Sequence, residues 1–329
     1  MASFIRSVLQ NRATLAVGSQ TDIILPPNPI SHILIAIRFQ TLAANTLATL
    51  VNVLNVFDTV AVLHRGTAVF SMSGRDTWAY MVGHGLGTAM LFRNTSAVNS
   101  SGFITLCIPW GPALYDAEEC FPCTRAGELI LRLNRMAADT NITGVTVSVT
   151  TVELPDAQPA RFLRATTLAF TPGATGDNDL QLYPSTVYTG FLVFSTTVPT
   201  GTVFTTTVDR VQLLLNNIQY DFAQANWEDL WGEWVNRSGF LGVTQEHIHL
   251  ENTAGAYAQN VDTGGMRIVG HPLANYVWLD LDPSRDMSYA IDARSIARVV
   301  LRVNAGDTQP VRVIPQEVIY LSENGPEGG

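Results

Sequence analysis

From residue 23 onward, apolar and polar positions alternate in short runs with a period of two, as half-buried strands require. Ile33, Ile35 and Ile37 alternate with Leu34, Ala36 and Arg38, and Val60 to Leu63 predicts a second strand. His64-Arg65-Gly66 reads as a turn and Thr67 to Met72 as the return strand. Asp76-Thr77-Trp78 then opens a short helix, with Asp76 as its expected N-cap. Later in the chain the grammar returns. Phe191 to Phe194 and Val208 to Leu215 predict strands, Asn216-Asn217 a turn, and Ile218 to Phe222 the return. Gln224 to Val235 predicts a helix carrying Trp227, Trp231 and Trp234 on adjoining turns. Only the N-terminus departs from this pattern. Phe4, Ile5, Val8 and Leu9 fall at helical spacing, which predicts a short amphipathic arm over residues 3–12 that docks on a neighbouring subunit or lies on a membrane surface.

Two motifs occur twice, in the same order. Trp78-Ala79-Tyr80-Met81-Val82-Gly83 is echoed by Trp227-Glu228-Asp229-Leu230-Trp231-Gly232. The strand Glu128 to Asn134, ending Leu131-Arg132-Leu133-Asn134, is echoed by Arg298 to Asn304, ending Leu301-Arg302-Val303-Asn304. The period is too long for a solenoid, so one domain fold is used twice. The halves also close alike, through Val145 to Val149 and through Val311 to Ile314. Between them, Pro155, Pro159, Pro172, Gly173 and the run Gly176-Asp177-Asn178-Asp179 mark a linker. The resulting division is an N-terminal arm (1–19), a first β domain (20–155), a linker (156–179), a second β domain (180–322) and a frayed tail (323–329).

Composition narrows the picture. At 329 residues, 47% hydrophobic and 14% charged, the chain has ample material for two cores, and its low charge suits large buried interfaces. All 19 basic residues are Arg and none is Lys. That excludes Schiff-base lysines, a phosphate-loop lysine and a lysine general base. Arg suits interfaces through bidentate pairing with carboxylates, while a codon bias produces the same composition. A net charge of −9 without a basic run argues against nucleic-acid binding. Three cysteines do not make a disulfide framework, no secretory pattern opens the chain, and no apolar run reaches the ~18 residues of a membrane span. A soluble chain made in a cytoplasm is expected.

Many short Thr/Val-rich strands spaced by turns, with one short helix after an early hairpin in each half, fit two tandem eight-stranded jelly rolls. No Cys-Trp-Cys arrangement supports an immunoglobulin sandwich. Over about residues 20–322 the chain resembles the double jelly-roll major capsid proteins of the adenovirus and tectivirus-type lineage. That resemblance implies two rolls standing side by side and a homotrimer whose six rolls tile pseudo-hexagonal positions of an icosahedral shell. It also implies a separate penton protein as partner, and in many members an internal membrane beside which an arm such as Phe4, Ile5, Val8 and Leu9 would lie. No cofactor is implied.

Other chemistry is weighed residue by residue. Cys120-Phe121-Pro122-Cys123 supplies two soft ligands or a dithiol, but no second pair stands at metal spacing. His247-Ile248-His249 puts two imidazoles on one face of a strand, as metal-binding cupins begin their ligand set. Glu251 is too close for the cupin carboxylate, and no later glycine-rich motif with its His is evident. Asp280-Leu281-Asp282 starts like a calcium loop but has Arg285 where Gly is needed and Ile291 in place of Glu. Its two carboxylates are expected to face solvent. No serine-nucleophile elbow, zinc-protease or dinucleotide motif is present. Trp78 and Trp227 are expected to anchor each helix to its own roll, whereas Trp231 and Trp234 exceed that need and are expected at a contact between rolls or subunits. Arg132 and Arg302 pair either across such contacts or within their own domains. Three functions follow: a self-assembling capsid protein without catalysis, a bicupin metalloenzyme using His247 and His249, or a jelly-roll module binding carbohydrate or a receptor.

Overall fold

The computed structural model describes residues 3–42, 48–87, 91–92, 100–139, 141–198, 205–219, 225–238, 249–251, 267–269 and 273–321. In chain order the first half contains β1 (Ile5–Thr14), β2 (Gln20–Ile24), β3 (Ile30–Thr41), α1 (Leu50–Leu54), β4 (Phe57–His64) and β5 (Thr67–Met72). It continues with α2 (Gly74–Gly83), β6 (Leu91–Phe92), β7 (Ser101–Pro109), β8 (Leu129–Arg135) and β9 (Ile142–Glu153). The second half begins with β10 (Arg161–Thr166), β11 (Leu168–Phe170), β12 (Gly176–Leu182), β13 (Val187–Ser195), β14 (Val208–Leu215), β15 (Ile218–Gln219) and β16 (Ala225–Asn226). After α3 (Trp227–Ser238) come β17 (His249–Glu251), β18 (Arg267–Val269), β19 (Tyr276–Asp280), β20 (Ile291–Asp292), β21 (Val299–Ala305) and β22 (Val311–Tyr320).

Strand pairing shows the duplication directly. In the first half the orders are β1-β9-β3-β7 and β2-β8-β4-β5; in the second they are β10-β22-β13-β19 and β12-β21-β14-β15. Each half therefore interleaves early and late strands in the same way, the arrangement of a jelly roll. The repeated Leu-Arg-aliphatic-Asn falls on β8 and β21, and in both the arginine faces an aspartate on the neighbouring strand. Arg132 stands opposite Asp22 and Arg302 opposite Asp179, each bonded through Nε and an Nη. These bonds, first among the causes, hold both aspartates below the usual carboxylate range. Of the two pairings open to these arginines, the structure shows the one within their own roll.

The rolls are not separate beads. Strand β5 pairs in parallel with β10 through Ala165↔Phe70 and Thr166↔Ser71, so one sheet of each roll merges into a single ten-stranded sheet. The inner faces of the second roll, with Phe191, Val193, Val277 and Leu279, enclose one core. The outer face of β22-β13-β19, with Phe194, Tyr276, Trp278 and Ile314, joins the first roll's core instead.

Three sequence expectations are corrected. Residues 3–12 do not form a helix: β1 pairs antiparallel with β9, from Ile5↔Glu153 to Thr14↔Thr146. Irregularities at Val8/Gln10 and Gln10/Ala13 break the alternation that would have marked a strand. The basis for an amphipathic membrane arm disappears with the helix. Residues 156–179 are not a bare linker, since β10, β11 and the start of β12 lie in them, each paired to β21 or β22. Their turn-forming residues punctuate short strands. Finally, α2 is capped by Ser73, whose Oγ accepts from the Asp76 amide at 3.1 Å, so Asp76 sits in the first turn.

Candidate functional site: the seam between the rolls

Helix α2 lies between the two rolls, and two sheets bury it from opposite sides. Asp76 to Val82 are all buried. Asp76, 1% exposed, is the centre of the polar contacts. Its Oδ1 accepts from Arg312 Nη2 at 2.7 Å and from the Tyr276 hydroxyl at 2.6 Å, and its Oδ2 accepts from Arg312 Nε at 2.9 Å. The Arg312 guanidinium also stacks 3.6 Å above the Phe194 ring. A buried carboxylate survives only when its oxygens are satisfied, and here every bond comes from the other roll. Burial pushes the Tyr276 phenol well above its ordinary value, and the neighbouring Asp76 charge adds to this.

One turn along, Gln316 of β22 accepts from Thr189 Oγ1 at 2.9 Å and donates to the Tyr80 hydroxyl at 3.0 Å and to His84 Nε2 at 2.6 Å. An amide donor on Nε2 leaves the ring proton on Nδ1. Burial lowers the His84 pKa to about 3, with the Arg285 charge adding to the effect. Arg285 Nη2 donates to the Gly83 carbonyl at 3.1 Å, and Arg75 Nη2 donates to Asn275 Oδ1 at 2.7 Å. Trp278 lies flat on the helix: a Cβ built at Gly83 would stand 2.7 Å from its ring. Gly83 is therefore glycine because of contact, which explains half of the repeated motif. At the loop on the other side, Arg161 of β10 pairs with buried Glu119.

Two clefts of about 460 and 330 Å³ flank α2, one beside Asp58, Arg75 and Arg312, the other beside His84, Trp234 and Asp280. Asp76 spends its oxygens on Arg312 and Tyr276, and among the described residues no group of three His, Cys, Asp or Glu converges as metal ligands. What the seam does chemically is hold two rolls in one orientation.

The sequence candidates distribute themselves around it. Cys120 is buried and Cys123 exposed; both are free thiols, and their sulfurs face different carbonyls, of Ala117 and Thr124. Burial pushes Cys107 and Cys120 up to about 12. His247 lies outside the described residues, and His249 begins β17, whose side-chain environments are likewise outside them. Trp78 and Trp227 are buried in the cores of their own rolls. Trp234 is buried in the core that includes both the first roll and the outer face of the second, and the Trp231 Nε1 donates to the Leu273 carbonyl at 3.1 Å. Phe4, Ile5 and Val8 are exposed on β1, Phe4 against Tyr115, while Leu9 is half-buried against the core.

Asp280 and Asp282 correct the expectation of solvent-facing carboxylates. Asp280 is nearly enclosed and paired with Arg237 and Arg285, and Asp282 is buried and accepts from the Met287 amide at 3.0 Å. Sequence reasoning missed the seam residues Arg312, Gln316, Tyr276 and His84. The available signal was weak: isolated polar residues inside the apolar strand 311–318, and an acid inside a helix that is otherwise apolar.

No protein-family model and no curated protein sequence matches this chain. Solved structures do. The crystal structure of the STIV major capsid protein aligns at TM-score 0.67 and 14% identity, covering 97% of this chain and 97% of that one. The major capsid protein P2 from Bacteriophage PM2 aligns at TM-score 0.61 and 10% identity, covering 99% of this chain and 100% of that one. A PBCV-1 virus capsid model aligns at TM-score 0.58 and 8% identity, over 97% and 94%. The chain thus has the double jelly-roll fold of these capsid proteins from end to end.

Proposed function

We propose that this chain is a major capsid protein that self-assembles into pseudo-hexagonal homotrimers and then into the shell of an icosahedral virion, and that it catalyses no reaction. The observation that supports this most is the fusion of two equivalent rolls into one body. Parallel β5–β10 pairing and the buried Asp76–Arg312 contact set their relative orientation, as a tile with fixed edges needs. The likeness to capsid proteins over 97–99% of this chain points the same way. We take 5–153 and 161–320 as the two rolls. Copies of this chain are the principal partner, and a separate penton protein fills the fivefold positions.

Light scattering on the purified chain tests the reading. The expected species has three times the 35.8 kDa chain mass, and electron microscopy should show six-sided outlines that associate further. A persistent monomer or dimer holding a stoichiometric transition metal would overturn it in favour of the bicupin.

A further inference from the structure

Strands β22, β10 and β5 run side by side where the two sheets merge. Ala165 and Gln316 turn one face of these strands toward the first roll and α2. Side chains alternate along a strand, so Arg164, Thr166 and Glu317 turn to the other face. There a cleft of about 450 Å³ opens beside the loop Tyr183-Pro184-Ser185-Thr186, which joins β12 to β13. That volume lies within the ~300–1,000 Å³ usual for small-ligand sites.

Glu317 is the residue of the cleft that points to a ligand. It stands opposite Arg164 in the β10–β22 ladder and is 3% exposed, and its Oε2 accepts from Arg164 Nε at 2.6 Å. Its Oε1 accepts no hydrogen bond among the described residues and is not sealed in the interior. A carboxylate oxygen held almost out of water without a protein donor takes its donor from what enters the cleft.

The loop beside it is fixed in shape. The Ser185 amide donates to the Ala293 carbonyl at 3.1 Å, the Ala293 amide donates to the Thr186 carbonyl at 2.9 Å, and the Tyr188 hydroxyl donates to the Tyr183 carbonyl. Ser185 is held at φ 73°, a left-handed conformation that a non-glycine residue adopts at a cost. The same bonds set Tyr183 and Ser185 at the cleft before any ligand arrives, which lowers the ordering cost of binding. Tyr183 is 65% exposed, a large ring left in water on a pinned loop.

The chemistry of these groups selects the ligand. Arg164 neutralises Glu317, so a charged ligand of either sign gains little net attraction. The open carboxylate oxygen accepts hydroxyl protons, the remaining guanidinium N–H groups donate to hydroxyl oxygens, and the Thr166 and Ser185 hydroxyls do either. The electron-rich face of a tyrosine ring covers C–H groups. A ring with hydroxyls around its edge and C–H bonds on its faces meets all of these demands. We propose that the cleft beside the 183–186 loop binds a neutral pyranose, with Glu317 and Arg164 on its hydroxyls and Tyr183 against its C–H face. The site does not depend on how copies of the chain assemble, so its failure would leave the capsid reading in place.

Isothermal titration of the purified chain with glucose, galactose, mannose and N-acetylglucosamine, each as free sugar and as methyl glycoside, tests the site, with sodium acetate and methylammonium chloride as charged probes. The expected result is saturable binding of at least one pyranose and of neither charged probe. Equal binding of sugar and glycoside would support the terminal residue of a glycan as ligand, and binding of the free sugar alone would support a free monosaccharide. Glu317→Gln should raise the dissociation constant at least about tenfold, the worth of a hydrogen bond to a charged group, with native circular dichroism and melting. Tyr183→Ala should weaken binding comparably, whereas Tyr289→Ala, 63% exposed but not lining the cleft, should leave it unchanged. Should Glu317→Gln fail to fold, Tyr183→Ala, on an exposed position, decides alone. No binding of any of the sugars, a preference for acetate or methylammonium, or sugar binding that survives the folded variants would overturn the inference.

Discussion

Replacing Asp76 by asparagine keeps the size of the side chain and removes its charge. One of the two oxygens becomes an NH₂ group facing either Arg312 Nε or the shared donors Arg312 Nη2 and Tyr276 OH. At least one charge-assisted bond is lost, worth ~1.5–3 kcal/mol, and a donor then faces a donor. Breaking a fully buried ion pair costs about 3–5 kcal/mol. The Arg312 side chain retains 29% of its exposure, so partial rehydration lowers that figure. The expected loss is about 3 kcal/mol, which lowers Tm by about 4 °C if the 329 residues unfold in one transition. Urea unfolding followed by tryptophan fluorescence, with calorimetry in parallel, measures both. Among the described residues the ladder that joins the rolls' sheets is short, Ala165↔Phe70 and Thr166↔Ser71, with an isolated bridge at Glu119↔Arg161 and a few loop hydrogen bonds beside it. Weakening Asp76 should therefore also separate one calorimetric transition into two as the rolls uncouple. A loss below about 1 kcal/mol with one sharp transition would show that apolar contacts alone hold the seam and that the carboxylate contributes little.

Gly83→Ala brings a methyl to 2.7 Å from the Trp278 ring and should destabilise the chain by about 1–3 kcal/mol, whereas Gly232→Ala, which meets nothing within 4 Å among the described residues, should stabilise the isolated chain by up to ~1 kcal/mol; equal effects in chemical denaturation of the monomer would contradict the packing difference between the helices. His84 stays neutral in the fold because its pKa is lowered to about 3. Its contribution is therefore complete above the unfolded value near 6.5 and falls as pH drops toward about 3, because the unfolded chain takes up a proton that the folded chain refuses. The stability difference between wild type and His84→Gln should narrow as the pH is lowered from 7 to 5, and a constant difference would refute this. Of the three thiols, Ellman's reagent should titrate Cys123 in the native protein and all three only after denaturation; rapid native reaction of two would contradict the burial of Cys107 and Cys120.

The duplication was legible because it is written in local chemistry. Arg132 and Arg302 each bond a carboxylate on an adjacent strand of the same sheet, so their sequence neighbourhood repeats with their geometry. Trp78 and Trp227 were legible for a similar reason, since each opens or enters a helix that packs on its own roll. Strand β1 was hidden because its apolar residues do not alternate: Ile5 and Val8 fall on opposite faces of an edge strand and are both exposed, and Leu9 follows directly at a register irregularity. Strands β10 to β12 were hidden among the prolines and glycines that separate short elements.

By itself, then, the sequence determined that this protein is built from two copies of one β fold, because period-two alternation, turn residues and the Trp-x-x-apolar-x-Gly motif act over a few residues. Tertiary structure decided how the copies meet. Asp76 and Arg312 are 236 positions apart, and their pairing depends on β5 and β10 merging two sheets so that α2 lies across the face of β22. A contact between such distant residues leaves no periodic trace in either segment. Its energy comes from removing both partners from water together, which only the assembled rolls can do.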